Sequence, residues 1–208
     1  MTPEQNLMHQ ASDLQGGATN SHSVVKHKGK ASSRKSVTAT ATGLAGVLTF
    51  FTALMSACVV RKGSPAADWQ FLTIPPVFWL NTIILLGSGG TLFYARRMFG
   101  KGDRDGFRHW WAVTAILGCF FIAGQLLGWR QLSRAGINLG TNPSSSFLYL
   151  FTAAHALLAL GGVVALLSAA FFSKQYLPSR PTTAAIALYW HCTLAMWLGI
   201  FFLFLFLR

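Results

Sequence analysis

Charge is scarce in this sequence, and its scarcity is uneven. Only 11% of the 208 residues are charged, against about 25% in an average soluble domain. Whole segments of about 20 residues carry no charge at all, which is the length that the hydrocarbon core of a bilayer requires of a helix. A soluble domain would instead alternate polar and apolar residues within each element. The distribution therefore indicates an integral membrane protein.

Acidic residues are the rarest charged group. The sequence holds five of them: Glu4, Asp13, Asp68, Asp103 and Asp105. All five lie in the polar amino-terminal tail or between the apolar runs. A proton pump or ion-coupled transporter normally keeps a carboxylate at membrane depth, so their placement argues against that class of protein.

Cysteine is also sparse. Cys58, Cys119 and Cys192 each lie within an apolar run, and none is close to another in the sequence. A CxxC metal or redox site is therefore excluded. The three thiols are predicted to act as small apolar side chains.

Five apolar runs predict an all-α bundle of five transmembrane helices, at about 38–60, 75–94, 110–129, 147–172 and 183–207. Only helices and closed barrels satisfy their own backbone hydrogen bonds in lipid, and the runs lack the alternation of barrel strands. Pro75-Pro76 and Asn142-Pro143-Ser144 are typical of helix starts. Residues 1–37 are polar and basic and are predicted to be a disordered cytoplasmic tail, ahead of a transmembrane domain at 38–208.

The basic residues set the predicted orientation. Twelve lie on the side of the amino terminus: Lys26, Lys28, Lys30, Arg34, Lys35, Arg96, Arg97, Lys101, Arg104, Arg108, Lys174 and Arg180. Five lie on the other side: Arg61, Lys62, Arg130, Arg134 and Arg208. Because cytoplasmic loops carry the excess of Lys and Arg, we expect the amino terminus in the cytoplasm and the carboxyl terminus outside. The same bias accounts for the net charge of +12 without nucleic-acid binding.

Four polar residues fall at membrane depth: Asn81, Gln125, His155 and His191. Polar groups there are candidates for a functional site. The two histidines could bind a heme or a copper ion, but such centres normally show several ligands with supporting partners. We favour hydrogen bonding between helices, which contributes about 0.6 kcal/mol on average in membranes. No catalytic, cofactor-binding or metal-binding residue is predicted.

Six short motifs follow one another from the second span onward. They are Leu80-Asn81-Thr82 with Leu85-Leu86-Gly87-Ser88; Tyr94-Ala95-Arg96-Arg97; Gly102-Asp103; Leu117-Gly118 with Phe121 and Gln125; Phe147 with Thr152-Ala153-Ala154-His155-Ala156-Leu157; and Tyr189-Trp190-His191 with Trp197-Leu198. In order and spacing, over about residues 69–208, they resemble subunit III of the heme-copper oxidases.

The sequence departs from that family pattern at several polar positions. Leu158 stands where the family has a second histidine, and Leu194 stands where it has an aspartate. Gly128 replaces a glutamate, with Trp129 in place of the neighbouring tyrosine, and Gly46 occupies the place of a glutamate in the first span. Each loss removes a polar group from the membrane.

The resemblance implies a non-catalytic subunit III of a terminal oxidase in aerobic respiratory electron transport, within the plasma membrane of a bacterium. It implies packing against the catalytic subunit I, with subunit II in the complex, and lipids held in a cleft. Hemes and copper are expected in the partner subunits and none in this chain. We further hypothesise that His155 and His191 lie on facing helices and form a polar core with Gln125 or Asn81.

Three alternatives remain at this point. One is a subunit III-like accessory protein of a nitric oxide reductase. Another is a small transporter, although the five spans show no internal repeat and do not divide into equal halves. The third is a cytochrome b-type electron carrier that uses His155 and His191.

Overall fold

The computed structural model describes residues 38–64, 69, 75–172 and 179–207. Within them it contains five helices and no strand: α1 (Thr38–Lys62), α2 (Pro76–Lys101), α3 (Arg104–Arg134), α4 (Pro143–Phe172) and α5 (Arg180–Phe206). All five helices are long and apolar enough to cross a membrane. The predicted all-α fold with five membrane-spanning helices is confirmed. The tail predicted at 1–37 lies outside the described residues.

The helices extend beyond the predicted spans. The third span was predicted at 110–129, whereas α3 has 31 residues. Its length of about 46 Å exceeds the roughly 30 Å of the hydrocarbon core. The difference arises because an apolar run ends at the first charges, while helical hydrogen bonding continues through them into the aqueous region.

Local sequence explains where α2 ends and α3 begins. Gly102 has a φ of 79°, a left-handed conformation that glycine adopts without steric cost and that commonly ends a helix. Asp103 follows, and its carboxylate accepts a hydrogen bond from the Gly106 N–H at 2.9 Å, which caps the start of α3. Two residues therefore reverse the chain and place α2 and α3 side by side.

The other helix starts also carry local signals. Pro76 is the first residue of α2, as predicted. The side chain of Asn142 accepts from the Ser145 N–H at 2.8 Å and caps α4, which confirms the helix entry predicted at Asn142-Pro143-Ser144. Ser179 caps α5 by accepting from the Thr182 N–H at 3.4 Å.

Helices α2 to α5 form a closed ring, since α2 packs on α3, α3 on α4, α4 on α5 and α5 on α2. The fully buried Trp190 of α5 lies inside this ring. A Cβ added to Gly118 of α3 would lie 2.9 Å from its ring, and one added to Gly162 of α4 would lie 2.7 Å from it. The indole N–H donates to Ser88 Oγ of α2 at 3.0 Å. One side chain thus contacts all three of the other helices.

Helix α1 lies outside the ring, against α4 and α5. Only 17% of its apolar window is buried, against 39–44% in the other helices. The rings of Phe51 and Phe151 are 6.3 Å apart, and Lys62 Nζ donates to the Leu207 carbonyl at 3.0 Å. The latter bond shows that α1 and α5 end on the same side of the bundle.

Candidate functional site

Asn81 is the polar residue at which α2 and α3 approach each other. Its side chain is buried, and Nδ2 donates to the carbonyl of Phe121 at 3.2 Å. A Cβ added to Gly124 would collide with the Asn81 amide, lying 2.7 Å from its Cγ. The absence of a side chain at Gly124 therefore lets Asn81 reach the backbone of α3.

His155 joins α4 to α5. Its side chain is fully buried, and Nε2 lies 2.9 Å from the Thr193 carbonyl. Because a carbonyl only accepts, this ring nitrogen carries the proton. The imidazole also contacts Phe121 at 5.5 Å and Trp197 at 5.1 Å between ring centroids. The histidine is enclosed by aromatic rings from α3 and α5.

Gln125 is buried, yet neither atom of its amide has a hydrogen-bond partner among the described residues. The same holds for Asn81 Oδ1 and His155 Nδ1. Gln125 lies one helical turn from Phe121, whose carbonyl and ring contact Asn81 and His155. Asn81, Gln125 and His155 are named here the polar centre, because Phe121 contacts the first and the third, and Gln125 lies one turn further along α3.

His191 is separate from the polar centre. It is exposed, its Nδ1 donates to the Ala187 carbonyl at 2.7 Å, and it lines a groove of about 570 Å³ between α2 and α5. The other residues that line this groove are Phe93, Arg96, Arg97, Ala187 and Leu188. Of the two histidines that were hypothesised to form a core with Gln125 or Asn81, His155 is enclosed in the bundle and His191 is exposed. The reason is helical geometry, since residue 191 is rotated by about 100° from the buried Trp190.

Four tryptophans supply hydrogen bonds between helices that reasoning about polar residues did not predict. In each bond the indole N–H donates to an acceptor on another helix. The pairs are Trp197 with Thr82 Oγ1 at 2.9 Å, Trp190 with Ser88 Oγ at 3.0 Å, Trp129 with Thr152 Oγ1 at 3.0 Å, and Trp111 with the Leu166 carbonyl at 2.9 Å. Trp190 and Trp197 belong to a motif noted in the sequence. Their partners could be found only once the helices were packed.

Three of the positions that depart from the family pattern, Leu194, Gly128 and Leu158, make contacts between helices. Leu194 lies against Gly89 of α2, since a Cβ there would be 2.7 Å from its Cδ1. Gly128 accommodates the ring of Phe78, with Cζ 2.8 Å from an added Cβ. The carbonyl of Leu158 accepts from the Tyr189 hydroxyl at 2.8 Å. At these three positions the described structure has apolar or backbone contacts where the family pattern has polar side chains.

No group of three or more His, Cys, Asp or Glu residues that could hold a metal ion occurs within the described ranges. The two histidines at membrane depth do not share a pocket, because His155 is enclosed in the bundle and His191 is exposed. The geometry is that of helices packed around a small polar centre.

Comparison with known protein families shows which family the chain belongs to. The sequence model of the family described as cytochrome c oxidase subunit III matches residues 40–208. The chain belongs to this family. The match includes the first span, for which the motifs had given no resemblance.

Relatives agree with this family. The chain is 28% identical to the probable cytochrome c oxidase subunit 3 of Nocardia farcinica, over 79% of this chain and 84% of that one. It is 28% identical to cytochrome c oxidase subunit 3 of Corynebacterium diphtheriae, over 68% and 70%. It is 30% identical to the subunit 3 of Synechocystis, over 68% and 59%.

The chain is accordingly a subunit III of a heme-copper oxidase, with the respiratory role that follows from its family. Proteins of the subunit III family do not carry the redox centres. Membership also implies a complex with other oxidase subunits. None of the three relatives is named as part of a nitric oxide reductase.

Proposed function

We propose that the chain packs, as a non-catalytic subunit, against the catalytic subunit I of a terminal oxidase that also contains subunit II. The hemes and copper are in those partners. The outward face of α2 supports this proposal, because it carries two glycines, Gly87 and Gly90, where an added Cβ would meet nothing within 4 Å. Ile83 and Leu86 are exposed beside them. Small residues on an open helix face allow a partner helix to approach closely.

A pull-down in mild detergent tests the assembly. A tagged chain should retain heme-containing subunits, identified by mass spectrometry and by the optical spectrum of the eluate. Gly87→Leu with Gly90→Leu should weaken this retention, whereas Gly43→Leu, at an exposed glycine of α1 with equal space, should not. A chain that elutes alone and colourless would contradict the assignment of partners. Equal retention by both variants would contradict the assignment of the face.

We also propose that the amino terminus lies in the cytoplasm and the carboxyl terminus outside the plasma membrane of a bacterium. The support is the excess of basic residues on one side of the predicted spans. Alkaline phosphatase fused after the carboxyl terminus should be active, and the same enzyme inserted at Gly102-Asp103, in the turn between α2 and α3, should be inactive. The reverse pattern would refute this orientation.

The groove that contains His191 is proposed to hold an anionic membrane lipid. Arg96 and Arg97 offer bidentate donors for a phosphate, while Phe93 and Leu188 give the groove an apolar wall. Native mass spectrometry should show a bound anionic phospholipid that is lost in Arg96→Gln with Arg97→Gln and kept in Lys101→Gln. If the double variant retains the lipid, the groove is not its site.

The polar centre is proposed to fix how α2, α3, α4 and α5 pack. Removing the His155 imidazole leaves the Thr193 carbonyl without this donor and opens space among Phe121 and Trp197. His155→Leu should therefore lower the melting temperature of the purified chain. His191→Leu, at an exposed position, is the matched control and should leave it unchanged. Equal melting temperatures for both variants would refute a packing role for His155.

A further inference from the structure

Three residues of the polar centre have buried polar atoms without a hydrogen-bond partner in the part of the chain that the structure describes. These atoms are Asn81 Oδ1, both amide atoms of Gln125, and His155 Nδ1. The three side chains are at most 1% exposed. Burying such a group without a hydrogen bond is costly, and native proteins leave few of them unpaired. Four in one place require a physical explanation.

Phe121 of α3 contacts both Asn81 and His155. Asn81 donates to the Phe121 carbonyl, and in the helix that carbonyl lies one turn before Gln125. The Phe121 ring contacts the imidazole of His155. On the other side of Gln125, Trp129 donates to Thr152 of α4 at 3.0 Å. Gln125 is therefore bracketed by two contacts between α3 and α4, at the level of His155.

The hydrogen-bonding character of these atoms is unbalanced. Asn81 Oδ1 and Gln125 Oε1 accept only. His155 donates through Nε2 to Thr193, so Nδ1 of the neutral ring is an acceptor as well. Gln125 Nε2 offers two hydrogens, and Asn81 Nδ2 has one beyond its bond to Phe121. None of the three acceptors receives any of these hydrogens in the described structure, so a small group that both donates and accepts would join them.

We propose that the polar centre binds at least one internal water molecule, held by Gln125 together with Asn81 and His155. A water molecule donates two hydrogen bonds and accepts others, and buried waters typically make about three. The proposal deepens the packing role given to this centre, and its test is made on the chain itself, so that it stands or falls apart from the identity of the partner subunits.

Other occupants fit the centre less well. A side chain of a partner subunit does not reach atoms that are enclosed within this one chain. An anion would be repelled, because three of the four unpartnered atoms are hydrogen-bond acceptors. A metal cation prefers several oxygen ligands, often carboxylates, whereas only two side-chain amide oxygens are available here and the acidic residues of the described ranges, Asp103 and Asp105, lie at the start of α3.

The site is also near one surface of the bundle. Asn81 is about 8 Å along the axis from the start of α2, and Gln125 is about 14 Å from the end of α3. Both helix ends lie on the same side, since α2 and α3 run antiparallel through a two-residue turn. Water therefore has to cross only part of the membrane thickness to reach the centre.

A high-resolution cryo-EM map of the full chain in nanodiscs, enlarged by a bound antibody fragment, tests the proposal directly. It should show a density peak about 2.7–3.2 Å from at least two of the named atoms. The second measurement is the melting temperature of the full chain in nanodiscs. If water satisfies Gln125, Gln125→Leu should lower it by about 2–8 °C, because a bonded network is broken. Gln131→Leu, at an exposed glutamine of the same helix, should have no effect.

Two results would overturn the inference. In one, Gln125 bonds directly to Asn81 or His155 in the map, with no density between them. In the other, the centre has no density in a map that shows ordered water elsewhere. A higher melting temperature for Gln125→Leu would agree with that second result, since an unpaired polar group would then have been removed from the bundle. Should the leucine variant fail to accumulate, the map of the natural sequence decides alone.

Discussion

Replacing Gly162 with alanine tests the central packing of this bundle most directly. The new Cβ would lie 2.7 Å and 2.8 Å from two ring carbons of Trp190, and 3.1 Å from a ring carbon of Tyr189. Real Cβ atoms essentially never approach other atoms this closely. The indole cannot simply rotate away, because its N–H is bonded to Ser88 and the opposite edge of its six-membered ring lies against Gly118.

Overpacking of this kind costs about 1–3 kcal/mol. For a chain of this size, 1 kcal/mol lowers the melting temperature by about 2–4 °C. We therefore expect Gly162→Ala to melt roughly 2–12 °C below the natural sequence, measured by the fluorescence of a thiol probe or of tryptophan in nanodiscs.

Gly90→Ala is the matched control, because a Cβ at that position meets nothing within 4 Å. Alanine is favoured over glycine in helices by up to about 1 kcal/mol, so this variant should melt at the same temperature or higher. Trp190→Phe should relieve the clash. The double variant Gly162→Ala with Trp190→Phe should therefore lose less melting temperature than the sum of the losses in the two single variants. Equal melting of Gly162→Ala and Gly90→Ala would refute the reasoning.

Three further variants probe other contacts. Trp111→Phe removes the bond from the indole to the Leu166 carbonyl (2.9 Å, buried), and urea or thermal unfolding should show a loss of about 1–3 kcal/mol. Lys62→Met removes the bond to the Leu207 carbonyl at the shared end of α1 and α5, so limited proteolysis should cut α1 away faster, and an unchanged rate would show that this bond does not hold α1. Cys119 is exposed at the middle of α3, a face that meets lipid in a spanning helix, so a water-soluble maleimide should label it poorly in nanodiscs and fully in SDS, in a variant whose other two cysteines are alanine; full labelling in nanodiscs would contradict this position.

The sequence by itself determined the number, type and approximate limits of the helices. Long uncharged runs can be satisfied in lipid only by helices, and Pro75-Pro76 and Asn142-Pro143-Ser144 marked two of the helix starts. These signals act within a few residues, so no tertiary contact was needed to recognise them. The same motifs pointed to the family, because their order along the chain is preserved although several polar members are missing.

The faces of the helices were decided only by the tertiary structure. In a soluble helix the apolar stripe marks the buried side, but a membrane helix is apolar both toward lipid and toward its neighbours. Hydropathy therefore could not predict that His155 turns inward while His191 turns outward, or that Asn81 packs against Gly124. It also could not place α1 outside the ring of the other four. Those outcomes depend on which glycines let which side chains approach, and that is a property of packed helices rather than of any single segment.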